Sequence, residues 1–179
     1  MNVKQYILSF VGVSMLLAFS LWASIWFNQT HIGWLIESVP NSFEFKQQWQ
    51  SRINQLSGVE HPAIVHFLPD DCLCRVLASK HAGQISETAT QSGFKVYQLG
   101  SSNIEFATEI RDFIAIDHDI SPIIAITHES GDIAYVGAYS DGVRCNTGNS
   151  MVESFLESPD TLPTRAVIGL DVETCRCTQ

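Results

Sequence analysis

Four of the five cysteines form two Cys-x-Cys pairs, Cys72-Leu73-Cys74 and Cys175-Arg176-Cys177, and the fifth is Cys145. A Cys-x-Cys pair holds two sulfurs close together whatever fold surrounds it. It either closes a small strained disulfide ring or offers two thiolates to a soft metal. In the first case strain makes the bond a good oxidant, with Cys72 the attacked sulfur and Cys74 the resolving one. In the second, Cys72, Cys74, Cys145, Cys175 and Cys177 supply thiolates for copper(I) or zinc, with Asp70 and Asp71 attracting the cation. The spacing is not the Cys-x-x-Cys of a zinc ribbon. A third reading joins Cys72 and Cys74 to the C-terminal pair as structural disulfides in a non-catalytic domain. The odd cysteine count leaves at least one thiol free, metal-bound or paired with another molecule. His66 and His128 fall in strand patterns and read as satisfied or surface histidines. His118 is a candidate supporting group behind the cysteines.

The elements that position these sulfurs begin with an apolar segment. Tyr6 to Phe27 is 22 residues without a charge, enough for a helix across roughly 30 Å of hydrocarbon. A cleaved signal has a shorter core, of about 7–15 residues, and a small-residue cleavage site. Residues 1–28 are therefore expected as an uncleaved anchor, with cleavage as the alternative. Lys4 ahead of the run and Trp22 and Trp26 near its end set the N-terminus inside and the rest outside. The chain has 10 Lys+Arg against 19 Asp+Glu. That acidic balance argues against nucleic acid as a partner. An exported domain meets an oxidising compartment, where disulfides are permitted.

Residues 29–42 read as a linker and 43–179 as one domain. Phe45, Trp49, Ile53 and Leu56 recur at helical spacing over 43–57. Ala63 to Leu68 reads as a strand, and a helix with Ala78, Ala82, Ile85 and Ala89 on one face follows. Phe94 to Leu99 is a second strand. A helix is expected over 104–116, with Phe106, Ile110, Phe113 and Ile114 inward. Ile123–Thr127 and Ile133–Val136 flank a turn at Glu129-Ser130-Gly131-Asp132. Ser150-x-x-Glu153 predicts a capping box opening a further helix. Val167 to Val172 is a last strand, delivering Cys175 and Cys177 beyond its end. The order is that of a mixed-sheet α/β domain.

This pattern resembles the thioredoxin-like superfamily over roughly residues 60–158, and looks closest to membrane-anchored bacterial members. Three features carry the resemblance. Phe67-Leu68-Pro69-Asp70-Asp71-Cys72 puts a cysteine at the junction of first strand and helix. Ser121-Pro122 precedes the third strand, and Gly137-Ala138-Tyr139 ends a hairpin. The resemblance implies a thioredoxin-like mixed β-sheet flanked by helices, with Cys72 as nucleophile. It further implies a cis Pro122 facing Cys72 and shaping a client groove. It also brings the loop after Gly137 toward Cys72, making Cys145 a resolving thiol or third metal ligand. Arg75 stands where the usual second cysteine would be, and Cys74 comes one residue earlier. A helix N-terminus and Arg75 favour a Cys72 thiolate, while Asp70 and Asp71 oppose it.

Phosphate-cradling loops, nucleophile elbows and peroxidatic motifs are missing from the sequence. The expected protein is single-pass in the inner membrane, with a periplasmic domain exchanging disulfides through Cys72 and Cys74. Its expected partners are client or redox-partner proteins with thiols or disulfides. No cofactor is expected, with copper or zinc as the alternative.

Overall fold

The computed structural model describes residues 3–39, 41–69, 72–99, 104, 107–110, 121–142, 145 and 147–177. The chain divides into two compact units, Met1–Ile32 and Gly33–Gln179. The first is helix α1 (Val3–His31), with no buried residue. It is the one helix among the described residues long and apolar enough to cross a membrane. By length and composition it is a single-pass anchor or a signal sequence.

In the second unit a short strand β1 (Ile32–Trp34) leads in. Its Gly33 and Trp34 belong to this unit. Leu35 and Val39 follow and are buried in the core, although both fall in the segment expected as a linker. Helix α2 (Ser42–Gln55) starts at Asn41, whose side chain accepts from the Phe43 and Glu44 N–H groups. That satisfies two of the donors a helix N-terminus leaves open. Phe45, Trp49 and Ile53 make its buried face.

The main chain then gives β2 (Ala63–Phe67), α3 (Leu73–Gln91), β3 (Lys95–Leu99), β4 (Thr108–Ile110), β5 (Ile123–Thr127), β6 (Ile133–Ala138), β7 (Val167–Gly169) and β8 (Glu173–Cys175). Six strands form one mixed sheet in the order β4-β3-β2-β5-β6-β7, and β1 pairs with β8 separately. β2, β3 and β4 run parallel. β5 is antiparallel to β2 and to β6, and β7 is parallel to β6. Side chains alternate along each strand. Val65, Ile123, Ala125 and Val136 pack with Trp49 and Ile53 of α2. Ile64, Leu68, Ile124 and Ile126 pack with Ala78, Ala82 and Ile85 of α3. Gln50 pins α2 to the β5–β6 hairpin, donating to the Gly131 carbonyl and accepting from the Ile133 N–H, both at 2.8 Å. Gly131 turns that hairpin at φ 86°, a region where glycine is favoured. Gly137 faces Gly169 across β6 and β7, and a Cβ at 137 would overlap the Gly169 backbone.

Several expectations are corrected. Thr108–Ile110 is a strand beside β3, not part of a helix over 104–116. Phe106, Phe113 and Ile114 lie outside the described residues. No helix opens at Ser150: it bridges Ser140 in extended pairing. Only the 3-10 turn Glu153–Phe155 follows, with Val152 at its N-cap. Val152 and Leu156 are nonetheless buried as expected. The strand expected to Val172 ends at Gly169. The cis peptide among the described residues is His61–Pro62, so Ser121–Pro122 is trans.

Candidate functional site

Cys72 is the N-cap of α3, in extended backbone conformation directly after the segment leaving β2. Its side chain makes no capping hydrogen bond because its sulfur is bonded elsewhere. Cys72 is joined to Cys177 and Cys74 to Cys175, so each N-terminal cysteine is bridged to a C-terminal one. Cys72 and Cys74 are not bonded to each other. The two bridges lie side by side as one buried cluster of four cysteines. The sulfurs of Cys72, Cys74 and Cys177 all lie within 4.8 Å of one another.

Local structure explains the pairing. Cys74 falls on the inward face of α3 with Ala78, His81, Ala82 and Ile85. Opposite it, the C-terminal segment is held by two backbone bonds. The Leu35 N–H donates to the Val172 carbonyl at 3.0 Å and the Gly142 N–H to the Glu173 carbonyl at 2.7 Å. Arg176, between the two C-terminal cysteines, pairs with Glu37 at 2.9 Å and lays its guanidinium over Gly33, where a Cβ would collide with it. Sequence reading missed this anchor, since no local signal links positions 37 and 176. Cys74 Sγ lies 3.2 Å from the Arg176 carbonyl oxygen. In the bridged state that sulfur carries no proton, so the contact is not a donated hydrogen bond.

The bridges differ in access. Cys72 is 8% and Cys177 6% exposed, against 1% for Cys74 and 2% for Cys175. The Cys72–Cys177 bridge is therefore the outer one. Beside it on the first turns of α3, Leu73, Val76 and Leu77 are exposed, Val76 by 70%.

The remaining predicted groups are distributed differently. Cys145 is free and packs against the α3-side core, outside the four-sulfur cluster. Burial pushes its thiol pKa up, with Ser140 opposing. Pro122 is buried at the start of β5. His128 Nε2 lies 3.1 Å from the Pro163 carbonyl. Asp70, Asp71 and His118 lie outside the described residues.

Farther along α3 is a second polar group that sequence reading only partly found. His66 Nδ1 is 2.7 Å from the Tyr139 hydroxyl, and Nε2 is 3.0 Å from Ser86 Oγ. Ser86 spends its proton on the Ala82 carbonyl at 2.8 Å. Nε2 must then be the protonated nitrogen, and Nδ1 accepts from Tyr139. Burial, with His81 nearby, pushes the His66 pKa down to about 3. His81 was missed, although it sits in the helical run 74, 78, 81, 82, 85. It is buried, and its ring nitrogens have no hydrogen-bond partner among the described residues.

No curated protein and no solved structure matches this chain. A family model described as a domain of unknown function does match, over residues 41–179. That span contains both bridges, the whole six-stranded sheet and α3, and by it the chain belongs to the DUF6436 family.

Proposed function

We propose that this is a membrane-anchored, periplasmic, thioredoxin-like thiol-disulfide exchange protein whose centre is the pair of bridges rather than one. The observation that carries the reading is the outer Cys72–Cys177 bridge at the N-cap of α3, with Cys74 Sγ within 4.8 Å of both its sulfurs. The strand order β3-β2-β5-β6, with β2 and β3 parallel around α3 and β5–β6 an antiparallel hairpin, supports the thioredoxin-like part. The disulfides and the apolar helix support export into an oxidising compartment. The client is a polypeptide dithiol, its flanking apolar residues meeting Leu73, Val76 and Leu77.

The exchange proceeds in two stages. A client thiolate attacks Cys72 Sγ, forming a mixed disulfide and releasing Cys177 as a thiolate. The second client thiol, losing its proton, displaces Cys72. The client leaves as a disulfide, and its two electrons rest on Cys72 and Cys177. The helix N-terminus favours the Cys72 thiolate. Cys72 then attacks Cys74, closing Cys72–Cys74 and releasing Cys175. Both electrons now sit on the C-terminal pair, and the N-terminal pair is oxidised. The ring expected between Cys72 and Cys74 thus enters as a product of exchange.

The test is to mix the oxidised full chain in detergent with a reduced two-cysteine peptide carrying apolar flanks. Free thiols are trapped by alkylation in acid and mapped by mass. The expected result is an oxidised peptide, alkylated Cys175 and Cys177, and a Cys72–Cys74 bridge. A peptide that stays reduced, with both original bridges intact, overturns the reading.

A further inference from the structure

The four bridged sulfurs make one compact group, which raises the question of what they form when no longer bonded in pairs. We infer that the fully reduced cluster is a four-thiolate site for one zinc-like divalent ion, held by Cys72, Cys74, Cys175 and Cys177. The inference is separate from the exchange reading. It concerns a chain reduced by four electrons, which exchange with one client dithiol never reaches.

Three observations carry it. The first is number and type: four sulfurs make one buried cluster, and closed four-cysteine sets are a standard structural zinc environment. The second is distance. A zinc–sulfur bond of about 2.3 Å in a tetrahedron puts neighbouring sulfurs about 3.8 Å apart. The bonded pairs, at 2.05 and 2.01 Å, must open by about 1.8 Å. Cys74 Sγ, within 4.8 Å of the sulfurs of Cys72 and Cys177, needs to close by at most about 1 Å. Cys175 Sγ lies outside that 4.8 Å group and makes the largest movement. The bridged Cα atoms, 5.2 and 5.5 Å apart, already hold the two segments together. The third is the frame. Cys74 stands on a 19-residue helix, and the C-terminal pair is held through Val172, Glu173 and Arg176 by contacts that do not involve sulfur. The pairs therefore stay opposed when the bridges break. The Arg176 carbonyl, 3.2 Å from Cys74 Sγ, accepts a hydrogen bond from the reduced thiol before the metal enters.

The balance is explicit. Two two-electron reductants, each a dithiol or a phosphine, convert two disulfides into four thiols. The divalent ion then binds as the four thiol protons leave. Reoxidation of the thiolates to disulfides takes away the ligands and expels the ion, so the site is open to metal only in the reduced state. Cys145 lies outside the cluster and contributes nothing.

The experiment uses the full chain in detergent, reduced with a phosphine and titrated with Co2+ as a spectroscopic stand-in, then with Zn2+. The expected result is one Co2+ per chain, with thiolate charge-transfer and tetrahedral ligand-field bands that Zn2+ abolishes. Cys145→Ser keeps the bands. The double variant Cys74→Ser/Cys175→Ser, which retains the outer bridge as a folding support when oxidised, binds at least roughly a hundredfold more weakly after reduction. The oxidised wild-type chain takes up no stoichiometric ion. A reduced chain that binds no ion, folded or unfolded, overturns the inference. So does binding that survives in the double variant, is lost in Cys145→Ser, or is equally tight in the oxidised chain. Metal binding without peptide oxidation would remove the exchange reading alone, and peptide oxidation without metal binding would remove this one alone.

Discussion

The two faces of the six-stranded sheet are filled by different chemistry. On the α2 face, Trp49, Phe45, Ile53, Val65, Ile123 and Val136 make an apolar layer. On the α3 face, hydrocarbon alternates with His66, His81, Ser86 and Tyr139, and the helix begins at the four-sulfur cluster. A buried polar group costs free energy unless it is paired. The α2 face thus holds the domain together, while the α3 face carries groups that packing alone does not call for. The sulfurs of Cys72 and Cys74 sit at the start of α3, and His81 and Ser86 lie along its inward stripe.

The largest effect that breaks this contrast is removal of the covalent ties. The bridges span 105 and 101 positions. Loop-closure entropy assigns about 5 kcal/mol to whichever closes first, and only about 2 kcal/mol to the second, which completes a short ring. Replacing all four cysteines by serine should therefore cost far more than the Cys74→Ser/Cys175→Ser pair, as read from urea midpoints. Equal losses would show that the Cys72–Cys177 bridge adds no stability of its own.

Next comes the apolar face itself. Trp49→Ala should destabilise by about 3–5 kcal/mol while leaving the bridge-mapping pattern after peptide exchange unchanged under folding conditions. A changed pattern would mean the faces are coupled.

A smaller and graded effect is expected from acid. Folded His66 stays neutral down to about 3, whereas its unfolded reference is 6.5. Between those values the unfolded chain binds the extra proton. Stability is then complete above about pH 6.5 and falls as pH drops toward 3, by up to about 1.4 kcal/mol per pH unit. Burial lowers His81 in the same sense. Unfolding midpoints across this range should lose part of their slope in His66→Gln, and an unchanged slope would remove His66 from the account. The smallest effect belongs to Cys145→Ser, which should leave peptide oxidation within about twofold and shift stability by less than about 1 kcal/mol. Wild-type Cys145, its thiol pKa raised by burial, should alkylate slowly at neutral pH.

The legible parts of the fold were those where local pattern and tertiary role agree. Ala63–Leu68 and Ile123–Thr127 read as largely apolar runs, broken by His66 and ended by Thr127, because both strands are covered on both faces. The α2 face was visible in the spacing of Phe45, Trp49 and Ile53. Thr108–Ile110 was misread because three residues of an edge strand carry too little pattern to outweigh the helical spacing of Phe106 and Ile110. Ser150 has the letters of a capping box, but its backbone pairs with Ser140 and its hydroxyl accepts from the Val152 N–H at 3.4 Å. Bridging of Cys72 and Cys74 to the C-terminal pair stood in the sequence as one of three readings, and the structure shows it; the choice among the three connectivities open to four half-cystines was not legible, because it depends on contacts more than a hundred positions apart. The placement of Cys145 against the α3-side core was not legible either, since a loop's destination is set by its packing.

The bond between Cys72 and Cys177 has one more consequence. It makes the polypeptide from 72 to 177 a closed covalent circle containing α3 and every strand of the six-stranded sheet except β2. A protease that cuts this circle once opens it without detaching anything. The nicked molecule gains one water, loses no residue, and comes apart only when a reductant arrives.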